Sequence, residues 1–147
     1  EKNAVAHACM LMKEAGAKRA IILPVSVPSH CSLMKVAADK FKTYIESVDF
    51  TGKTVALFGL GDQFGYGDYF LDAMGMLHDV VIANGATIVG HWSVEGYDYD
   101  ASKAETTHPV TGETCFMGLA IDEDQQENLT ESRVNKWCDE LCRSVYI

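Results

Sequence analysis

Segments with apolar residues at helical spacing alternate along the chain with short, continuous apolar runs. This alternation predicts an α/β fold. Apolar residues recur at helical spacing in four segments, which are residues 3–15, 32–45, 70–81 and 131–145. Short, continuous apolar runs typical of buried strands lie between them, at residues 19–25, 53–60, 86–92 and 115–121. Strands that alternate with helices pair in parallel through right-handed crossovers. We therefore expect one layered α/β domain with a mainly parallel sheet.

Local signals predict where several of these elements end. Gly16 follows the first helical segment in the position of a C′ glycine, and residues 84–85, Asn-Gly, end the third. Thr130 is the expected N-cap of the last helix, with Leu129 and Val134 as its hydrophobic staple. Residues 93–114 form a long polar excursion between two strand-like runs, and loops of that length tend to be functional or accessory.

Composition narrows the class of protein and its partners. A chain of 147 residues with 48% hydrophobic residues suits one globular domain, and no apolar run approaches the roughly 20 residues of a membrane span. Five widely spaced cysteines and a start without signal-peptide order favour a reducing, cytoplasmic location. The scattered histidines predict no metal site. A net charge of −9 argues against nucleic acid and anionic membrane as partners.

The charge is distributed unevenly along the chain. Residues 1–50 hold seven basic and five acidic side chains, whereas residues 51–147 hold five basic and sixteen acidic ones. The acidity therefore belongs wholly to the second part, and the two parts of the chain could have different origins.

The stretch "FGLGDQFGYGDYF", residues 58–70, is the strongest candidate for a ligand-binding loop. It begins where the strand 53–60 ends, and ligands of open parallel sheets collect beyond the carboxyl ends of the strands. Gly59 and Gly61 would let backbone groups approach a ligand, Asp62 and Gln63 add hydrogen-bonding groups, and Tyr66 offers a flat ring for stacking. The alternative is a glycine-rich strand-to-helix turn with core aromatics, since the glycine spacing departs from G-x-G-x-x-G.

From about residue 49 to residue 147 the chain resembles the second half of a long-chain flavodoxin. The segments that carry the resemblance are "DFTGKTVALFGLGDQFGYGDYFLDAMG", "GATIVGHWSVEGYDYDASKA" and "FMGLAIDEDQQENLTESRVNKW". The resemblance implies a truncated flavodoxin-like domain that binds FMN and shuttles single electrons, with Tyr66 stacked on the isoalloxazine ring. It implies a cofactor-binding set of Gly59, Leu60, Gly61, Asp62, Gln63 and Tyr66. It also implies that residues 93–114 are the insertion that splits the last strand, and that the acidic surface steers basic redox proteins.

The family's phosphate-binding loop, [ST]-x-T-G-x-T, does not occur in the sequence. "TGKT", residues 51–54, precedes its strand, whereas a phosphate cradle follows a strand and opens a helix, so we interpret it as a turn. Half of a flavin site is therefore expected. Ring stacking and edge contacts alone would give micromolar binding at best, about −8 kcal/mol.

Residues 3–46 resemble a segment of bacterial malonyl-CoA:acyl-carrier-protein transacylase, on the strength of "LPVSVPSHC". His30 matches the family's general base. Acyl transfer also needs the serine of G-x-S-x-G, and that motif is absent from the sequence. We therefore predict that the chain is not an enzyme and rate acyltransferase activity as a remote alternative.

Together the two resemblances suggest a chimera-like chain joined near residues 47–50, which leaves two main hypotheses: a flavodoxin-type electron carrier, or a fold scaffold without ligand or activity. In either case the first two strands of a flavodoxin are absent. The strand 19–25, which would lie beside 53–60, would therefore form an exposed apolar edge of the sheet. Such edges pair with other chains, and we expect a symmetric homodimer that shares or swaps this edge.

Overall fold

The computed structural model describes residues 2–22 and 32–145, and contacts divide the chain into two compact units, Glu1–Lys40 and Phe41–Ile147. The first unit contains helix α1, Lys2–Glu14, built from strong helix formers such as Ala, Met and Lys. Gly16 ends it as predicted: its φ is +93°, and its N–H donates to the Lys13 carbonyl at 3.0 Å. A 3₁₀ turn, Ser32–Met34, leads into helix α2, Lys35–Ser47, which confirms the second predicted helix.

The strand predicted at 19–25 is wrong over residues 19–22, which form no strand, and residues 23–25 lie outside the described part of the chain. Ile21 and Ile22 are 53% and 56% exposed. An apolar run becomes a strand only when a second strand satisfies its backbone groups, and no such partner reaches residues 19–22 among the described strands.

The second unit is built around the strand predicted at 53–60, which occurs as two consecutive pieces. Strand β1, Thr54–Ala56, pairs in parallel with β3, Thr87–Val89. Strand β2, Phe58–Leu60, pairs in parallel with β7, Leu119–Ile121. The parallel pairing confirms the sequence prediction. Both partners come from the C-terminal half of the chain. Residues 19–22 pair with neither strand, and residues 23–25 lie outside the described part of the chain.

The predicted strands 86–92 and 115–121 each divide in two, because their other halves join a separate antiparallel sheet. That sheet contains β4 (Trp92–Ser93), β5 (Glu105–Thr107) and β6 (Thr114–Phe116) in the order β4-β6-β5. Gly90 makes the first break, with a φ of +78° and no space for a Cβ beside the Trp137 indole. At Gly118, a Cβ would overlap the Leu57 carbonyl. Residues 93–114 thus form the strand-splitting insertion that the sequence predicts.

Helix α3, Asp72–Ala83, ends at Asn84 and Gly85 as predicted, and Gly85 has a φ of +94°. The Asn84 side chain also donates to the carbonyls of Ile45 and Glu46, both at 3.1 Å, and so caps the end of α2. Helix α4, Glu127–Val145, begins three residues before the predicted N-cap Thr130, which is therefore a wrong prediction.

The early start of α4 has a local cause. The Gln126 N–H donates to the Asp122 carbonyl at 3.0 Å, and the Leu129 N–H donates to the Gln126 carbonyl at 2.8 Å. These bonds already turn the chain into a helix before Thr130. Glu127 in the first turn then lies favourably at the positive end of the helix dipole.

The core lies between the parallel strands and helices α3 and α4. Its buried side chains are Leu57, Phe70, Leu71, Met74, Val81, Trp92, Ala104, Phe116, Leu119, Ala120, Ile121 and Trp137. An aromatic cluster joins the insertion to this core: Phe70 lies 5.7 Å from Tyr97, 5.2 Å from Tyr99 and 5.8 Å from Phe116, measured between ring centroids. Across the described ranges, no helix combines the length and apolar character that a membrane crossing requires.

Candidate functional site

The loop 61–66 lies at the carboxyl end of β2, directly beside the carboxyl end of β7. The two strands are parallel with Leu60 opposite Ile121, and the Gly61 N–H continues their ladder by donating to the Ile121 carbonyl at 2.9 Å. The residue that follows β7, Asp122, therefore enters the loop from the neighbouring strand. This is the edge of the sheet at which parallel α/β folds bind ligands.

Asp122 is completely buried, and its carboxylate is the centre of the hydrogen-bond network under the loop. One oxygen, Oδ2, accepts from the Gln63 N–H at 3.0 Å and from Gln63 Nε2 at 2.8 Å. The other, Oδ1, accepts from the N–H groups of Asp124 and Gln125 at 3.0 and 2.9 Å. Four donors compensate the charge, which is how a carboxylate can remain in a protein interior.

Gln63 connects this network to the insertion. Its side chain is only 3% exposed, and its Oε1 accepts from the Asp98 N–H at 2.6 Å while its Nε2 donates to Asp122. Both ends of the amide are therefore bound to protein, and Gln63 fixes the loop between two other segments. The predicted contact of Gln63 with a flavin stays a prediction.

Asp62 shapes the turn itself. Its Oδ1 accepts from the N–H groups of Phe64 and Gly65 at 3.1 and 2.8 Å and from Gln125 Nε2 at 3.1 Å. The bond from the Gly65 N–H, followed by that from Gln125, holds the pKa of the Asp62 carboxyl below its ordinary 3.8. A Cβ on Gly65 would overlap this carboxylate, so the turn requires glycine there. Asp62 is thus a fixed negative charge at the surface of the loop.

The glycines of β2 and the loop are explained by packing against α3 and against Phe70, which precedes it. A Cβ on Gly59 would lie 3.0 Å from the Met74 Cβ, and one on Gly61 would lie 2.6 Å from the Phe70 ring. Their small size therefore brings α3 close to the strand. This is part of the alternative interpretation, a glycine-rich strand-to-helix turn, and it holds whether or not a ligand binds.

The aromatic rings at the loop surface do not belong to the core, contrary to that alternative. Tyr66 is 69% exposed and Phe64 is 65% exposed, although the Tyr66 backbone is anchored by an N–H bond to the Asp62 carbonyl at 3.0 Å. Leu60, another predicted site residue, is 65% exposed. Tyr66, Phe64 and Leu60 thus expose apolar surface to solvent in the same stretch of the chain. A rigid backbone thus presents a free aromatic ring.

The sequence prediction missed Asp122 and the roles of Asp98 and Gln125. An acidic run such as residues 122–127 is typical of a solvated loop before a helix, but its first residue, Asp122, is buried. The position of Asp122 directly after a buried strand was the signal available, since such a residue reaches the same sheet edge as the loop.

The other candidate motifs give no further site. A turn at residues 51–52 precedes β1, as predicted for "TGKT", and the Thr51 N–H donates to Asp49 Oδ1 at 2.9 Å. His30, the residue matched to the transacylase base, lies outside the described residues. Between residues 2 and 22 and between 32 and 145, no group of three or more His, Cys, Asp or Glu side chains could hold a metal ion.

Comparison with known proteins identifies the family. The flavodoxin family model matches residues 24–137. Flavodoxin 1 of Escherichia coli K12 is 46% identical over 109 residues, which cover 74% of this chain and 59% of that protein. The flavodoxin of Haemophilus influenzae is 47% identical over 108 residues, which cover 71% and 59%. The chain thus spans about three fifths of the length of these curated relatives.

Two solved structures have a similar fold. The crystal structure of Fusobacterium nucleatum flavodoxin bound to flavin mononucleotide has a TM-score of 0.60 and 36% identity, covering 74% of this chain and 62% of that one. Its K13G mutant, also bound to flavin mononucleotide, has a TM-score of 0.65 and 26% identity, covering 98% and 89%. The family match begins at residue 24, inside the segment 3–46 that resembles a transacylase, and that second resemblance stays a prediction. The α/β flavodoxin-like fold is confirmed, and the chain belongs to the flavodoxin family.

Proposed function

We propose that this protein binds FMN at the loop 61–66 and acts as a one-electron carrier rather than as an enzyme. The observation that carries the proposal is the exposed Tyr66 ring on a backbone fixed by Asp62 and Asp122. The family membership and the flavin mononucleotide bound in both Fusobacterium structures support it.

The residues of the loop fit the ring system of the cofactor. A flat heteroaromatic ring gains from stacking on Tyr66, and the same stretch also exposes the apolar side chains of Phe64 and Leu60. Asp62 stands at the same surface as a carboxylate that accepts hydrogen bonds. Because the loop is already held in place, binding would cost little ordering of the backbone.

The phosphate end of the cofactor has less support. The hydroxyl-rich phosphate loop of the family is absent from the sequence, so FMN would gain little over riboflavin. We therefore expect micromolar affinity, about −8 kcal/mol.

FMN, when bound, supplies the one-electron chemistry, and the chain's own residues set its surroundings. The net charge of −11 on residues 51–147 opposes the addition of negative charge beside the loop. The same acidic surface favours encounter with basic redox proteins, the class of partner that we propose.

A fluorescence titration tests the proposal directly. The emission of free FMN is measured as the protein is added, and the measurement is repeated with riboflavin. We expect saturable quenching that Tyr66→Ala abolishes. Tyr69→Ala is the matched control, because Tyr69 belongs to the same stretch and is 67% exposed but lies outside the loop 61–66. Equal loss in both variants would show that quenching does not report on this loop.

A second candidate function is a folded scaffold without a ligand, and the missing phosphate loop favours it. Absence of quenching at about 100 µM protein, well above a micromolar dissociation constant, would establish this candidate and reject the electron carrier. The hybrid origin inferred from residues 3–46 stays a prediction, and neither candidate depends on it.

A further inference from the structure

Cys138 and Cys142 lie one turn apart on helix α4. Side chains four residues apart on an α-helix are neighbours on the same face, with Cβ atoms about 5–6 Å apart. Both cysteines are free thiols, and both are exposed. The core face of the same helix consists of other residues, Val134, Trp137 and Leu141, which belong to the buried cluster or pack against it. Two metal-ligating side chains therefore stand side by side on the exposed surface of α4.

The other described cysteines are not paired in this way. Cys9 is alone among the residues of α1. Cys115 is 3% exposed, and burial raises the pKa of its thiol, so this side chain is a poor ligand for an ion that arrives from solvent. Cys138 and Cys142 are thus the accessible thiols that one helix holds beside each other.

The helix spacing disfavours a direct disulfide between the pair. The Cβ atoms of a disulfide lie about 3.5–4.5 Å apart, which is less than the roughly 5–6 Å between helical neighbours. Helix α4 runs without interruption from Glu127 to Val145, so a disulfide would have to distort it. Two reduced thiols with room between their sulfur atoms are the arrangement that the helix favours.

An ion inserted between the two sulfur atoms fits this spacing. Thiolate sulfur binds a transition-metal ion at about 2.3 Å, so a linear unit of sulfur, metal and sulfur spans about 4.6 Å. The two Sγ atoms can take this separation by rotation about χ1, while the Cβ atoms keep their helical spacing of about 5–6 Å. We propose that Cys138 and Cys142 bind one Cu⁺ ion between their thiolates.

The number and kind of ligands select this ion. Thiolates are soft ligands that favour Cu⁺, whereas Mg²⁺ and Ca²⁺ take oxygen ligands. Zn²⁺ also binds thiolates but takes four ligands, and across residues 2–22 and 32–145 no group of three or more suitable side chains could hold a metal ion. Cu⁺ is stable with two sulfur ligands in a linear arrangement. A pair of cysteines on one helix face therefore matches Cu⁺ better than Zn²⁺.

Binding exchanges protons for the metal and transfers no electrons. Each thiol loses its proton and forms one sulfur–copper bond, so one Cu⁺ replaces two protons and the site becomes more negative by one charge. Arg143, in the last turn of α4, places a positive charge next to Cys142 and offsets part of this change. Asp139 acts in the opposite sense, since it lies three residues before Cys142 on the same face. The sulfur–copper bonds must therefore supply the affinity, which makes binding depend on both cysteines.

Competition with bicinchoninate, a coloured chelator of Cu⁺, tests the site on the full chain without FMN, under anaerobic and reducing conditions. We expect the chain to withdraw one Cu⁺ from the chelator. Cys138→Ser and Cys142→Ser should each weaken binding about 100-fold or more, because the second thiolate then no longer acts at a high effective concentration. Cys9→Ser/Cys31→Ser is the control, since it removes two thiols outside α4 and should leave binding unchanged. No transfer of Cu⁺ to the chain, equal binding in the α4 variants, or one ion per two chains would overturn the proposal.

The spacing itself is tested by moving one thiol around the helix. In Cys142→Ser/Glu140→Cys the number of cysteines is unchanged, but side chains at positions 138 and 140 do not face each other. Glu140 has an exposed side chain, so a thiol there also meets solvent. This variant should bind Cu⁺ as weakly as Cys142→Ser, with the same helix content by circular dichroism. Binding at the original affinity would contradict a site built on the spacing of one helix turn.

X-ray absorption at the copper edge identifies the ligands. The complex of the unmodified chain should show two sulfur atoms and no nitrogen or oxygen ligand. A histidine ligand, or a third sulfur atom, would reject the two-cysteine site. Because no flavin is present in any of these measurements, their outcome is independent of the proposed FMN binding.

Discussion

Replacement of Asp122 by alanine tests whether one buried carboxylate holds the candidate site together. The substitution leaves four donors without their acceptor, two from Gln63 and the N–H groups of Asp124 and Gln125. Each buried donor left unpaired costs about 1–3 kcal/mol. Removal of the charge also relieves its own burial cost, and the four effects are not independent, so the simple total is too large. We expect a loss of about 3–5 kcal/mol in the free energy of unfolding, a large part of the 5–15 kcal/mol typical of a domain.

Urea denaturation measures this loss, with the fluorescence of the buried Trp92 and Trp137 as the signal. Asp124→Ala is the matched control, because Asp124 is exposed, carries the same charge and contributes only its N–H to the network. It should change the free energy of unfolding by less than about 0.5 kcal/mol. FMN quenching should weaken in the Asp122 variant alone, since the loop loses its anchor. A destabilisation below about 1 kcal/mol would refute the reasoning that the four donors, buried away from water, depend on this carboxylate as their acceptor.

Three further variants test other parts of the structure. Gly75→Ala should lower the free energy of unfolding, measured by urea denaturation, by about 2 kcal/mol or more. Alanine favours helices, but the Cβ of an alanine at this position would overlap the Lys103 carbonyl. Asp62→Ala should weaken FMN quenching without changing the helix content seen by circular dichroism, since the carboxylate closes only the turn at Phe64 and Gly65. Burial, helped by the nearby His108, lowers the pKa of His91 below 6.5, so the unfolded chain takes up that proton first as the pH falls. The contribution of neutral His91 to folding stability is complete above pH 6.5 and is lost as the pH falls below it. Thermal unfolding should therefore occur at lower temperature at about pH 5 than at pH 7.5. His91→Gln should reduce this difference.

The helices could be predicted from the sequence because their signals are local. Helix α3 ends at Asn84 and Gly85 as expected, since a glycine with positive φ stops a helix whatever surrounds it. The apolar run 19–25 shows the opposite case. A strand depends on a partner elsewhere in the chain, and residues 19–22 have none among the described strands. Likewise the break at Gly118 reflects a close approach to the Leu57 carbonyl, which no local pattern encodes.

The candidate site was predictable in part for the same reason. The position of the loop after a strand predicted that it lies at the carboxyl edge of the parallel strands, and the pairing of β2 with β7 confirms this. The role of Tyr66 in ligand binding stays a prediction. Asp122 was missed because its burial depends on donors that lie 59 residues earlier, at Gln63. A carboxylate in an acidic run normally predicts a solvated surface, and only the fold reveals that four donors surround this one.

The insertion and the buried carboxylate act on the loop from two directions, which explains why the ring of Tyr66 can be exposed on a backbone that is fixed. On one side Gln63 binds Asp122, and on the other its Oε1 accepts from the Asp98 N–H at 2.6 Å. The insertion is itself anchored, because the Tyr97 hydroxyl donates to the Ala120 carbonyl of β7 at 2.6 Å. The insertion that interrupts the last strand therefore returns to that strand and braces the loop. A loop ordered in advance loses little conformational entropy when a flat ligand stacks on it, and this compensates in part for the absent phosphate loop.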